Sequence, residues 1–303
     1  MGLEVEISGL KLNNPTVLAS GILGVSRKMI ERVIDNGAGA VTIKSISYEG
    51  REGHNNPTVI SMENGLMNAV GYSNPGAEES SKEFSGLNDM KAPVIASVIG
   101  QETGDFVKVV KALEKCGFSA LEVPLSCPHT PGFGTLAGQD TPEKTGEITK
   151  AVCSATDLPV FVKLSPNTKN IGEVAMAAER AGASGITAVN TMGPGMVINI
   201  EARKPVLAFG VGGISGPALK PVAVRCVYDV YESVRIPVIG TGGVTNGRDA
   251  IEMIMAGASC VGIGSAVYYR GIDVFRKICA EMEEWMKKNG YKNIEEMVGA
   301  AHG

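Results

Sequence analysis

The sequence is poor in the residues that build metal centres, disulfide frameworks and nucleic-acid surfaces. Its six cysteines, at 116, 127, 153, 226, 260 and 279, include no pair close enough for a CxxC pattern, and only three histidines are present. Zinc and iron–sulfur sites of the usual spacing are not expected, and the thiols read as reduced, as in a cytoplasmic protein. Basic charge is also missing: 28 Lys+Arg face 32 Asp+Glu, a formal net charge of -4. Wholesale phosphate neutralisation on DNA or RNA is thereby disfavoured. No long hydrophobic run occurs. The longest uncharged stretch, 181–200, holds four Gly, a Pro and two Asn, and reads as strand plus loop rather than a membrane span. The first residues, MGLEVEISGLKLNNP, carry acidic side chains where a signal peptide needs a basic stretch and then an apolar run, so no targeting segment is expected.

What is present is apolar and rich in glycine. Hydrophobic residues make up 44% of 303 and charged residues 20%, which excludes an intrinsically disordered chain. Gly is 39 of 303, nearly twice the usual ~7%. Short β-branched runs at 16–19, 40–44, 94–98, 120–123, 160–164, 185–190, 238–240 and 260–263 are mostly apolar rather than alternating, as expected of parallel strands buried on both faces. Helical spacing marks 28–36, 105–115, 142–155, 172–181, 217–234, 247–256 and 272–288. Segments 4–7 and 10–12, turning at Ser8-Gly9, read as an N-terminal β-hairpin. Eight strands with crossovers most simply close into a (β/α)8 TIM barrel, here one domain over 1–303. The alternative is an open doubly wound sheet, but no GxGxxG opens the first helix. Three connections, 45–77, 126–141 and 191–216, are long. All follow strands, so they fall at the carboxyl face, where barrel active sites are built.

Several residues have the chemistry for a site. Lys44 and Lys163 close apolar strands, so their ammonium groups suit an anion or an electron-rich cofactor; a solvated strand end is the plainer reading for either alone. IGTGGV (239–244), GIGSAV (262–267) and GVGGISG (210–216) are glycine clusters, two of them after the last two strands, the usual phosphate position in a barrel. Tight turns would need the same glycines. Cys127, in LSCPH, starts a Gly-rich loop and suits a nucleophile or proton-transfer group, or a structural thiol. The other five cysteines sit in apolar or helical contexts and read as packing residues. Asn64, Asn68 and Asn190 carry amides able to read a ring with C=O and N–H groups, whereas Asn74, before Pro75, reads as a turn residue.

Taken in order, these motifs identify a family. NPTVLASG (14–21), GAVTIKS (39–45), REGHNNPTV (51–59), NGLMNAVGYSNPG (64–76), LSCPH (125–129), PVFVKLSPN (159–167), AVNTMGPGM (188–196), GGISGPALKPVAVRCVY (212–228), IPVIGTGGV (236–244) and MAGASCVGIGSAV (255–267) span almost the whole chain. The sequence resembles the class 1 dihydroorotate dehydrogenases, above all the archaeal class 1B catalytic subunits. The resemblance implies FMN, oxidation of dihydroorotate in de novo pyrimidine biosynthesis, a homodimer, and an FAD/[2Fe–2S] partner subunit that passes electrons to NAD. It implies that Ala19, Ser20, Gly21, Lys44, Ser45, Ser97, Lys163, Val189, Gly213, Ser215, Gly216, Gly242, Gly243, Gly264 and Ser265 hold FMN. It implies Lys44, Asn68, Ala69, Val70, Gly71, Asn190 and Thr191 as substrate contacts. Cys127 matches the base that takes the C5 proton while hydride leaves C6, with Lys44 beside it.

The chain departs from the family pattern at three positions. Pro124 stands where the family usually has Asn in N-x-S-C-P, and proline brings neither an amide side chain nor a backbone N–H. His129 replaces a common Asn; Cys-Pro-His and GQD (138–140) are shared with dihydropyrimidine dehydrogenases. Ser97 stands where bacterial class 1B proteins often have Asn. The first two motivate an alternative, a flavoenzyme of the same fold acting on another dihydropyrimidine such as dihydrouracil. A barrel that keeps flavin only as a binding subunit is a third reading.

Overall fold

The computed structural model describes residues 2–125 and 141–303. Strands β1 (Val5–Ile7) and β2 (Leu10–Leu12) form the N-terminal hairpin, with Val5, Ile7, Leu10 and Leu12 buried and Glu6 and Lys11 exposed. That alternation is the period-2 rule of a strand with one wet face. At its turn the Ser8 hydroxyl donates to the Ser184 carbonyl at 2.5 Å.

The first barrel units are β3 (Thr16–Leu18), α1 (Arg27–Asp35) and β4 (Ala40–Thr42). The next crossover holds two further strands, β5 (Val59–Met62) and β6 (Gly65–Asn68), and then α2 (Ala77–Glu83). β7 (Val94–Ser97), α3 (Thr103–Leu113), β8 (Ala120–Pro124), α4 (Pro142–Cys153), β9 (Val160–Leu164), α5 (Ile171–Arg180) and β10 (Gly185–Ala188) follow. Four short strands fill the next crossover: β11 (Met192–Gly195), β12 (Ile198–Asn199), β13 (Lys204–Pro205) and β14 (Gly212–Ser215). The chain ends with α6 (Lys220–Ser233), β15 (Val238–Thr241), α7 (Gly247–Met255), β16 (Cys260–Ile263), α8 (Ala266–Arg270) and α9 (Val274–Asn289).

β3, β4, β7, β8, β9, β10, β15 and β16 pair in that order, all parallel, and β16 closes back on β3. This is the expected TIM barrel. All eight strands are buried along their length, which is why they read as apolar runs. The helices bury one stripe each. In α9, Val274, Ile278, Met282 and Met286 recur every fourth residue on the buried face. Ser26, Thr141, Asn170 and Asn246 cap their helices by accepting from backbone N–H groups. Ser184 directly precedes β10, so the hairpin covers the amino end of the barrel and leaves the carboxyl end for the long crossovers.

Two crossovers read as loops are in fact a sheet. β11, β14, β6 and β5 hydrogen-bond in that order, with Gly213 opposite Asn68 and Ser215 opposite Leu66. Glycine-rich segments such as MGPG and GGIS have low strand propensity, and their partner comes from a crossover about 145 residues away, a link no local pattern reports. α2, AEESSKE, lacks an apolar stripe and was not expected. The helix expected over 217–234 starts as a 3-10 turn, Pro217–Leu219, before α6.

One barrel contact shows how tightly the core is cut. Gly185 of β10 lies beside Phe161 of β9, which is fully buried, and an added Cβ would strike the Phe161 ring. Gly185→Ala should therefore cost about 1–3 kcal/mol by overpacking. Adding Phe161→Leu should make the pair less destabilised than the sum of the single changes. Urea midpoints of the three variants check this; simple additivity would contradict the contact.

Candidate active site

A cavity of about 420 Å³ opens at the carboxyl end of the barrel. Its lower wall is built from residues at strand ends: Ala19–Ile22 after β3, Lys44 and Ser45 after β4, Pro124 ending β8, Lys163 in β9, Val189–Thr191 after β10, Thr241–Val244 at and after β15, and Gly264 and Ser265 after β16. Its upper wall comes from the four-stranded sheet and the loops beside it: His54, Val59, Leu66, Asn68–Tyr72, Phe209 and Val211–Gly213. Parallel strands all deliver their carboxyl ends to one rim, so segments from seven of the eight strands meet in this wall.

Among the residues expected in the site, Ala19, Ser20, Gly21, Lys44, Ser45, Asn68, Ala69, Val70, Gly71, Lys163, Val189, Asn190, Thr191, Gly213, Ser215, Gly216, Gly242, Gly243, Gly264 and Ser265 all line this cavity. Ser97 does not. It is fully buried one step behind, where its hydroxyl shares a 2.8 Å hydrogen bond with Ser45, whose hydroxyl in turn lies 3.3 Å from that of Ser20. Ser97 thus orients a wall residue. Asn64 does not line the cavity either, and Asn74 is the turn residue it reads as: its side chain accepts from the backbone N–H of Ser47 and Gly76 and donates to the Tyr72 carbonyl. Cys127, His129 and the GQD at 138–140 lie outside the described residues.

The two lysines differ. Lys44 is half-buried, and burial lowers its pKa from the ordinary lysine value. Among the described residues it makes no ion pair. Lys163 is 5% exposed and has a carboxylate below it: its Nζ lies 3.6 Å from Glu122 Oε1. Thr187 donates to Glu122 Oε2 at 3.0 Å. The three come from β9, β8 and β10, with Thr187 in register with Lys163.

The glycine rim is needed for its backbone. Gly243 has φ +76, and a Cβ there would fall 2.8 Å from the Lys220 backbone; Gly216 has φ +86. Both conformations suit glycine, and both residues line the cavity with no side chain over their backbone. Lys220, adjacent to this rim, is committed elsewhere, donating to Asp249 at 2.8 Å and Glu252 at 2.7 Å, and both contacts raise its pKa. An anion at this end is therefore offered backbone donors rather than a free lysine.

His54 and Phe209 were not singled out by the sequence. Their rings stack 4.1 Å apart within 3° of parallel, and His54 Nδ1 lies 3.1 Å from the Ala69 carbonyl. They come from different crossovers, and their only sequence cue was the REGHNNPTV motif, which carries no spacing argument. None of the five described cysteines lines the cavity. Burial pushes all five thiols upward, Cys226 to about 11 and Cys279 to about 12, so they stay protonated and fit the packing role expected of them.

Lys44 makes stability depend on pH with a definite sign. Its folded pKa is below its unfolded one, so between the two the unfolded chain binds more protons, and stability rises with pH. Lys44→Met should flatten this alkaline rise in the urea midpoint of the ligand-free protein. An unchanged slope would show that the ammonium is not desolvated.

The family model described as dihydroorotate dehydrogenase matches residues 2–286. The chain is 44% identical over 301 residues to a protein of Methanothermobacter thermautotrophicus named dihydroorotate dehydrogenase B (NAD(+)), catalytic subunit, covering 99% of this chain and 98% of that one. Proteins of the same name from Methanocaldococcus jannaschii and Pyrococcus abyssi are 43% and 44% identical, each covering 99% of this chain and 98% and 99% of their own. With the barrel, the cavity at its mouth and these full-length likenesses together, the chain belongs to the dihydroorotate dehydrogenase family.

Proposed function

We propose that this chain is the FMN-dependent catalytic subunit of a class 1B-type dihydroorotate dehydrogenase, oxidising dihydroorotate to orotate in pyrimidine biosynthesis. The observation that carries the reading is the shared cavity, in which two lysines and a glycine rim converge. The residues fit the cofactor. A volume of about 420 Å³ lies in the range of cofactor sites, the glycines offer a backbone cradle for a phosphate, and the buried Lys163 offers a cation to an electron-rich ring. Gly213, Ser215, Gly216, Gly242, Gly243, Gly264 and Ser265 would hold the phosphate end. Ala19, Ser20, Gly21, Ser45, Lys163 and Val189 would hold the ring, with Ser97 acting through Ser45. When bound, FMN supplies the acceptor for the hydride leaving substrate C6.

The chain's own groups do the rest. Lys44, without a carboxylate partner among the described residues, attracts the substrate carboxylate. Asn68, Asn190 and Thr191 read the ring amides, and Ala69, Val70 and Gly71 close over it. Asn68 Nδ2 lies 3.4 Å from the Gly213 carbonyl, a loose contact that a ligand can replace. Cys127 takes the C5 proton. It follows the cavity residue Pro124 by three residues, a reach of at most ~11 Å. As none of the other five thiols lines the cavity, it is the cysteine this role fits. Electrons then leave for a partner subunit carrying FAD and a [2Fe–2S] cluster, and on to NAD; a cytoplasmic homodimer is the assembly we infer.

Pro124 lines the cavity where an amide is usual, which favours a less selective ring site. Lys44 argues against dihydrouracil, which has no carboxylate to meet it. We expect kcat/KM to favour dihydroorotate over dihydrouracil by at least ~10-fold, the scale of about 1.4 kcal/mol. Cys127→Ser should slow flavin reduction by dihydroorotate by about 10²–10⁴ while FMN stays bound. Stopped-flow reduction measures both. Equal rates with the two substrates would move the assignment to a general dihydropyrimidine enzyme, and an undiminished Cys127→Ser rate would remove Cys127 as base.

A further inference from the structure

Glu122 is a carboxylate in the barrel interior that the proposed chemistry does not use. It is 3% exposed. Carboxylates are almost never this buried unless paired, because losing water costs the charged form several kcal/mol. Its partners are few. Oε2 accepts one hydrogen bond, from the Thr187 hydroxyl, and Oε1 accepts none from any described residue. Among the described residues the one cation paired with it is Lys163, at 3.6 Å, well beyond the ~2.7–2.9 Å of a charge-assisted hydrogen bond.

The layering gives this arrangement its meaning. Pro124 is in register with Lys163, and both line the cavity; Glu122 and Thr187 do not. Glu122 lies two residues before Pro124 on β8, so its side chain points to the same interior side one layer lower. Lys163 therefore stands between a fixed anion below and the ligand space above. The Thr187 hydroxyl holds the carboxylate by its far oxygen, and the near oxygen stops short of the ammonium. A lysine fully paired with Glu122 would present little charge to the cavity, and one with no anion beneath it would present all of it.

We propose that Glu122 is a positioning residue that sets, through Lys163, how strongly the site favours the reduced flavin over the oxidised one. The proposal rests on the FMN reading above. Reduction at neutral pH gives flavin two electrons and a proton and leaves it anionic, so the charge left free on Lys163 enters the equilibrium directly. Glu122 offsets part of that charge, and Thr187 limits how much. The two residues should then act in opposite directions. Removing the carboxylate charge leaves Lys163 uncompensated, whereas removing the Thr187 hydroxyl releases the carboxylate to close on the ammonium.

The test is the midpoint potential of bound FMN in the holoprotein, titrated anaerobically against reference dyes at pH 7. Glu122→Gln should favour reduced over oxidised flavin by 10-fold or more, an upward shift of about 30 mV for this two-electron couple. Thr187→Val should shift the potential downward. The dissociation constant of oxidised FMN should change less than threefold in both. FMN bound at the wild-type potential in Glu122→Gln, or shifts of the same sign in the two variants, would overturn the proposal and leave Glu122 a packing residue. If Glu122→Gln does not fold, the sign of the Thr187→Val shift decides alone, and no shift or an upward one overturns it. A wild-type protein that neither carries FMN nor binds it when added would overturn the cofactor reading itself, an outcome distinct from all of these.

Discussion

The site depends on one antiparallel pairing. Gly213–Ser215 of β14 lie against Leu66–Asn68 of β6, tying the crossover after β10 to the crossover after β4. A barrel alone presents strand ends and an open mouth. This pairing puts a wall over that mouth and brings Asn68, His54 and Phe209 opposite Lys44 and Lys163. It also requires glycine. A Cβ on Gly213 would strike Thr191, and one on Gly212 would fall 2.6 Å from the Asn68 carbonyl oxygen. The glycine content that stands out in the composition is thus spent partly on close strand approach and partly on a rim of accessible backbone.

Charge inside the mouth is arranged in layers. Carboxylates hold Lys220 away from the rim, Glu122 sits beneath Lys163, and Lys44 is left without a carboxylate among the described residues. Each lysine therefore has a different availability, although all three are cationic and lie within one face of the barrel. This difference makes an anionic pyrimidine a better fit than a neutral one. It fits the separate roles proposed above for Lys44, toward substrate, and Lys163, toward cofactor.

The barrel was legible in the sequence because it is written in local pattern. Eight apolar runs and seven amphipathic stretches carry their own periodicity, and each matches an element within a few residues. Most of the rim was legible too, since residues that follow strands of a parallel barrel must meet at its carboxyl end. What could not be read was contact between crossovers. β5 alternates between exposed and half-buried positions without a fully buried one, β11 and β14 are half glycine, and none of the three shows its partner. The His54–Phe209 stack and the retreat of Ser97 behind Ser45 follow from that same tertiary geometry. Glu122 was missed for another reason: in ALEVP it is a lone acid in an apolar run, and the run itself does not show that Thr187 and Lys163 of neighbouring strands will meet it.

The central claim is that this mouth holds FMN and presents dihydroorotate to it. An anaerobic absorbance scan of the purified protein, before and after adding dihydroorotate, tests it most directly. The account predicts a flavin band near ~450 nm that bleaches on addition, as expected when a substrate reduces a bound redox cofactor. A protein that takes up FMN yet keeps its full band in the presence of dihydroorotate would contradict the account.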